Sequence, residues 1–526
     1  MLETQVKGQK KSTPTNVEGE TFTLRLIAGL IMLVGATAYA ATQVADLQNG
    51  VVIMVAGLGG MYMAMNIGAN DVANNIGAAV GSGALTMTGA LVIATVFEAA
   101  GAVLAGGDVI NTIAKGIIDP NVILDSDSFI RLMLAALVGA AVWINIATFF
   151  GAPVSTTHSI VGGVLGAGIA AAGSTVVNWG VIGMIAASWV MSPVLGGVIA
   201  AAFLAFIKAT IVYQEDKIAA ARTWVPVLVA VMGAVFAAYL MMKGLKKVWQ
   251  PDTTTVLAIS GATFATLYMM AKLMVASAAE RMRNTREDIG RLFTIPLIGA
   301  AALLCFAHGS NDVANAIGPL AAIVHAASNG GVVDNVSIPN WVMVIGVLGL
   351  SAGLALYGAK LVRTVGTEIT EIDQLRAYTV ALSSAITVIV ASTLAIPVSS
   401  THIALGAIIG IGFLRERLQY EAERVKIIRE FFNDKTKPKL FDSAKAEMAL
   451  RYSNMERALK EPLSEQERRC YFELTQRAET ALKNWQRKKL VKRSHLSKIV
   501  GAWLVTVPAT AAISALLFHA INGILL

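Results

Sequence analysis

Long apolar runs, each broken by only a few polar positions, set the pattern of this chain. In the first half they fall near residues 24–44, 51–68, 86–105, 129–149, 159–173, 180–207, 224–242 and 254–275. A charged linker from Glu280 to Asp288 follows, and the runs resume near 293–307, 341–357, 376–396 and 402–414, with a last one at 499–525. A helix needs about 20 apolar residues to cross a ~30 Å hydrocarbon core. The pattern therefore predicts an all-α polytopic membrane protein with about 12 membrane segments, embedded in a lipid bilayer. Composition agrees: 55% apolar residues, 14% charged residues and a mean hydropathy of +0.64 leave too little charge to solvate a soluble chain of 526 residues.

Two polar phrases interrupt the apolar pattern, and each is written twice. Asn70-Asp71-Val72-Ala73-Asn74-Asn75-Ile76-Gly77 returns as Asn311-Asp312-Val313-Ala314-Asn315-Ala316-Ile317-Gly318, 241 residues later. Pro153-Val154-Ser155-Thr156-Thr157-His158 returns as Pro397-Val398-Ser399-Ser400-Thr401-His402, 244 residues later. The chain thus reads as a duplicated unit with its motifs in order. Ionisable residues in apolar runs mark a substrate or ion pathway by default. Matched polar breaks in two halves are the best sequence pointer to a transporter's binding site.

Seven parts follow. Residues 1–23 form a cytoplasmic tail and 24–46 an extra transmembrane helix. Residues 51–207 are the first transport repeat, 208–292 connecting helices with the charged linker, and 293–414 the second repeat. A basic cytoplasmic helical insert (415–498) and a C-terminal transmembrane helix (499–526) complete the chain. Proline fits the first helical turn, where its missing N–H costs nothing. Pro153 and Pro397 each open their motif, and Pro-Val-Ser-Thr/Ser-Thr-His reads as the start of a half-helix, with a re-entrant hairpin after each proline. Such irregular backbone survives at membrane depth only inside protein or along a cavity.

The net charge of +8 changes the picture little, because the insert alone holds 22 of the 42 Lys and Arg beside 13 Asp and Glu. Mixed charge and few aromatics there favour a solvated cytoplasmic helical segment, with helices at Glu421–Glu430 and Glu447–Lys460, over a nucleic-acid partner. Cys305 and Cys470 indicate neither a disulfide framework nor a metal site. The run from Leu24 to Ala41, with Ala38-Tyr39-Ala40, resembles a signal peptide. A retained first helix with its N-terminus inside is the reading adopted.

The motifs offer a defined chemistry. Asp71 and Asp312 supply carboxylates, and Asn70, Asn74, Asn311 and Asn315 supply amide oxygens and donors. Ser155, Thr156, Thr157, Ser399, Ser400 and Thr401 supply hydroxyls. An all-oxygen set suits a hard cation such as sodium. Half-helix N-termini with hydroxyls suit an oxyanion. Neither motif contains Arg or Lys, so a mobile cation must complete the anion site, as obligate coupling requires. Glu98, in a further apolar run, points to function rather than packing. His158 and His402 stand balanced between carbonyl-bonded core residues and a role in transport.

At these residues the chain resembles the inorganic phosphate transporter (Pit) family, over roughly 51–207 and 293–414. The resemblance implies two inverted repeats with broken helices and re-entrant hairpins, importing phosphate with a coupling cation into the cell, across its inner or plasma membrane. It implies that Asp71, Asn74, Asp312 and Asn315 serve the cation and phosphate sites, and that Ser155, Thr156, Thr157, Ser399, Ser400 and Thr401 surround phosphate. It also implies that Glu98 matters for transport. Family members often carry a second glutamate in a Thr-Ile-Glu-Leu-like phrase, which here reads Thr379-Val380-Ala381-Leu382. That departure tilts the coupling ion from proton toward sodium.

The expectation is a phosphate symporter working by alternating access, with no cofactor beyond sodium (or proton) as coupling ion. A sulfate permease, a proton- or metal-phosphate-coupled carrier and a passive anion channel are the rivals. An enzyme is not expected, since no nucleophile–base constellation or Walker-type loop occurs. A homo-oligomer stays open.

Overall fold

The computed structural model describes residues 16–45, 49–119, 125–149, 154–245, 249–329, 338–358, 373–433 and 493–525, with isolated positions between 464 and 480. Much of the tail (1–23) and of the insert (415–498) expected from the sequence, and the helix expected at Glu447–Lys460, lie outside the described residues, as does Pro153. The chain divides into two compact units, residues 1–407 with 498–526, and residues 408–497.

Among the described residues the protein is helical, apart from one isolated bridge between Ile118 and Val177. Among the described residues, eleven helices are long and apolar enough to cross a membrane. It is a multi-pass membrane protein. After α1 (Asn16–Val44), the first copy runs through α2 (Gly50–Asn70), α3 (Val72–Gly81), α4 (Met87–Ala105), α5 (Gly107–Asn111), α6 (Ser126–Phe149), α7 (Thr156–Ala172) and α8 (Trp179–Ile207). Helices α9 (Lys217–Tyr239), α10 (Thr253–Ala279) and the short α11 (Arg286–Arg291) connect to the second copy. There follow α12 (Thr294–Asp312), α13 (Ala314–Asn329), α14 (Asn340–Gly353), α15 (Gln374–Thr393), α16 (Ser400–Asn433) and, last, α17 (Arg493–Leu525).

Burial separates lipid-facing from internal helices. In α10 only 6% of the apolar window is buried, and Leu257, Met269 and Leu273 are exposed, as suits a helix against lipid. In α15 the figure is 78%. Helix α13 escaped the apolar pattern because the polar phrase at its start hides it; Ile317, Leu320, Ile323 and Val324 are buried there.

The breaks lie where the polar phrases predict, and both described half-helices begin inside their motif, though Pro397 itself stands ahead of its helix. Asp71 is the turn between α2 and α3, and Val313 separates α12 from α13. Pro397 does not begin a helix. It lies outside any regular element, and α16 starts three residues later at Ser400. The helix starts are set instead by hydroxyl caps: Ser155 Oγ accepts from His158 N at 3.2 Å, and Ser399 Oγ accepts from His402 N at 3.3 Å. Helices α6 and α7, which flank the first motif in sequence, pack along each other. At 17 residues, α7 is shorter than a membrane crossing.

The two copies are interleaved. Helix α2 packs on α14 of the other copy, and α12 packs on α4. Both crossings use the same device, since a Cβ on one backbone would strike a carbonyl of the other. At the first crossing Gly68 meets the Leu350 carbonyl and Gly353 that of Met65. At the second, Gly309 meets the Glu98 carbonyl and Gly101 that of Phe306. Small residues of this kind let membrane helices approach closely. The reciprocity also aligns the copies, making Glu98 the counterpart of Leu350 and His308 the counterpart of Ile67.

Candidate functional site

All four polar phrases converge on one buried cluster. Asp71, at the break after α2, accepts Thr156 Oγ1 on Oδ2 (2.7 Å) and Thr401 Oγ1 on Oδ1 (3.0 Å), one hydroxyl from each copy. Asn74 Nδ2 donates to Thr401 Oγ1 at 2.8 Å. In the second copy, Asp312 Oδ2 accepts Ser400 Oγ at 2.6 Å. Asn315 Nδ2 reaches across to Thr156 Oγ1 (3.3 Å) and Thr157 Oγ1 (3.1 Å). Thr157 in turn donates to the Val398 carbonyl at 2.9 Å, tying the two proline phrases together. Asp71, Thr156, Thr157, Asp312, Asn315, Ser400 and Thr401 are all buried. Polar groups buried this deeply in an apolar chain are costly unless paired, so the cluster is held by its own network.

Other residues singled out in the sequence take different places. Ser155 and Ser399 cap α7 and α16, so their oxygens already accept backbone N–H groups. Asn311 uses both ends of its amide on the turn before Pro397: Nδ2 donates to Ser392 Oγ (3.0 Å) and the Ile396 carbonyl (3.1 Å), and Oδ1 accepts Val398 N (3.1 Å). Asn70 donates to the Asn66 carbonyl (3.2 Å) and accepts Thr148 Oγ1 (3.3 Å). Both are braces of the motif backbone. His158 and His402 meet edge to face, with centroids 5.0 Å apart, and His158 stacks on Trp189 at 3.7 Å. The two proline phrases thus also touch through their histidines.

Sequence reasoning missed His308. Its Nε2 lies 2.9 Å from Asp312 Oδ2 and its Nδ1 lies 3.0 Å from Glu98 Oε1, with all three groups buried. Asn75 Nδ2 adds a hydrogen bond to the same Glu98 oxygen at 3.1 Å. The signal was available: His308 precedes Asp312 by four residues on α12, the spacing that puts two side chains on one helix face. Glu98 therefore joins the cluster through a histidine.

The arrangement can hold ions of both signs. Asp312 Oδ1 and Asn315 Oδ1 accept no hydrogen bond from the protein, which leaves a carboxylate and an amide oxygen three residues apart. Such oxygens suit a hard cation. Ligand atoms of Asp71, His308 and Asp312 also lie within 4.8 Å of one another, a mixed nitrogen and oxygen set that a divalent ion could use. The first turns of α7 and α16 bring backbone N–H groups and hydroxyls beside them, the setting in which helix N-termini receive oxyanions.

Comparison with known proteins gives this cluster a context. A family model described as the phosphate transporter family matches residues 67–514. A Helicobacter pylori protein named "Putative phosphate permease" is 43% identical over 99% of both chains. A Pyrococcus abyssi protein similarly named is 39% identical, covering 68% of this chain and 87% of its own. A solved structure described as the sodium-dependent phosphate transporter superposes with a TM-score of 0.72 at 30% identity, over 90% of this chain and 99% of that one.

Proposed function

The chain belongs to the phosphate transporter family, and on that premise we propose that it imports inorganic phosphate by symport with a cation, sodium first, through alternating access. The observation that carries this reading is the cross-copy network around Asp71, whose two carboxylate oxygens take one hydroxyl from each copy. A site built from both copies is the place where movement of one against the other opens and closes access. The carboxylates and amide oxygens of Asp71, Asp312, Asn74 and Asn315 receive sodium. The hydroxyls of Thr156, Thr157, Ser400 and Thr401 and the first turns of α7 and α16 receive phosphate. With no Lys or Arg in the four phrases, the anion lacks a fixed counter-charge, so each ligand raises the other's affinity. The solved relative, described as sodium-dependent, supports sodium as the ion.

The test is labelled phosphate uptake into proteoliposomes under an inward sodium gradient, a proton gradient, or neither. Sodium-driven accumulation above the external concentration supports the reading. Accumulation driven by protons alone recasts the acids as proton carriers, and equilibration without accumulation makes the protein a channel. The imidazole near two carboxylates favours one second reading, a divalent ion travelling with phosphate. Stimulation by magnesium or manganese in the absence of sodium would distinguish it.

A further inference from the structure

The duplicated site is unequal where its helices cross. At the crossing of α4 and α12, Glu98 and His308 stand where the crossing of α14 and α2 has Leu350 and Ile67, both buried and apolar. The glycine contacts on either side are the same, so the backbones meet alike while this pair changes from apolar to ionisable. Beside the polar pair lie Asp312 Oδ1 and Asn315 Oδ1, which accept nothing from the protein, whereas Asp71 has both oxygens taken by threonines.

We propose that Glu98 and His308 are positioning residues that make the Asp312–Asn315 half the dominant cation site. Glu98 holds Nδ1 of the imidazole, and Nε2 then holds Asp312 Oδ2 at 2.9 Å. With Ser400 on the same oxygen, the carboxylate is fixed and Oδ1 is left to the cation together with Asn315 Oδ1. Neither Glu98 nor His308 touches the ion in this scheme. Groups that orient a ligand through a hydrogen bond set ion affinity nearly as strongly as the ligands do, typically by 10–100-fold. The Asp71 half, closed by two hydroxyls, lacks such an aligned and unshared carboxylate oxygen. Asn75, which donates to the same Glu98 oxygen, completes the chain that fixes the imidazole.

This inference rests on the sodium reading above, and the experiment separates the two. Uptake is measured as a function of sodium at saturating phosphate, and as a function of phosphate at saturating sodium. The variants are Glu98→Gln, His308→Gln and the double variant Glu98→Leu/His308→Ile. The double variant copies the pair that the other crossing already accommodates, and His308→Gln preserves a polar N–H, so a folding failure of one leaves the other to decide. Expected is a rise of about 10-fold or more in the half-saturating sodium concentration of the double variant. A smaller rise is expected in the two Gln variants, and the phosphate KM at saturating sodium should stay within about 3-fold of wild type. A wild-type sodium dependence that persists unchanged in all three variants, even with lower maximal rates, reduces the pair to packing and overturns the proposal. A wild type indifferent to sodium overturns the coupling itself and this proposal with it.

Discussion

The two helix crossings of the duplicated core share a backbone and differ in what they place at its centre. Where α2 meets α14, Gly68 and Gly353 bring the chains together around Ile67 and Leu350. Where α12 meets α4, Gly309 and Gly101 do the same around His308 and Glu98. One crossing has no ionisable group at its centre, while the other carries a buried carboxylate–imidazole–carboxylate chain ending on Asp312. Duplication supplied the scaffold, and divergence at its centre changed its chemistry. Buried charge is costly to keep in such surroundings, so its retention at one crossing only is a statement about function.

The largest effects are expected at the two aspartates. Asp71→Asn and Asp312→Asn each leave an oxygen and an amide of the same shape, so both variants should fold, Asp312→Asn with a lower thermal midpoint in detergent because it takes a carboxylate from the buried contact with His308. Removing one member of a buried charge interaction costs about 2–5 kcal/mol, so coupled uptake should fall at least about 30-fold in each. Normal sodium-driven uptake in either would remove that aspartate from the cation site. The halves should also separate in binding. Sodium-dependent thermal stabilisation of the purified protein should vanish in Asp312→Asn and survive in part in Asp71→Asn. Equal loss in both would show that the polar crossing does not set the cation site.

Much of this was legible before any coordinates. The apolar runs located the spans, the four phrases located the breaks, and Asp71, Asp312, Asn74, Asn315 and the threonines meet in one cluster. What stayed hidden was pairing in space. His308 lies on the same helix face as Asp312, but its partner Glu98 is 210 residues away and comes from the other copy. Helix α13 was missed because the Asn-Asp phrase at its start interrupts the apolar run that would have marked it. Pro397 misled for a local reason: proline is at home both in a first helical turn and in the extended segment before it. Only the capping hydroxyl of Ser399 shows where the helix begins. The glycine pairs could be seen in sequence, but not which carbonyls they would meet.

A middle-sized effect tests the shared scaffold. Gly68→Val and Gly309→Val each place a branched side chain against a carbonyl of the facing helix. Overpacking of this kind costs typically about 1–3 kcal/mol. Both variants should lower the midpoint of thermal unfolding in detergent, and by similar amounts, because the backbones cross alike. Only Gly309→Val should also raise the sodium requirement for uptake, since its neighbour is the Glu98 backbone. A sodium effect of the same size in Gly68→Val would mean that the ion responds to the crossing geometry in general and not to the Glu98–His308 pair.

The smallest expected effect concerns the tips of the motifs. Ala395 is in the left-handed region with φ 56° and precedes Pro397 by two residues. Its carbonyl accepts Thr112 Oγ1 at 2.8 Å, and Asn311 braces the next residues, so the turn is held in place from two sides. A side chain other than glycine's in this conformation costs roughly 1–2 kcal/mol. In the first copy the corresponding residue of the sequence is Gly151. Ala395→Gly therefore gives the second copy the residue of the first. The strain it relieves is partly offset by about 0.4–1 kcal/mol of added freedom in the unfolded chain. A net stabilisation of at most about 1.6 kcal/mol is expected, seen as a small rise in the thermal midpoint with sodium-driven uptake unchanged. If uptake instead fell while the midpoint rose, the left-handed alanine would be strain kept for transport, and the two tips would differ in function as the two crossings do.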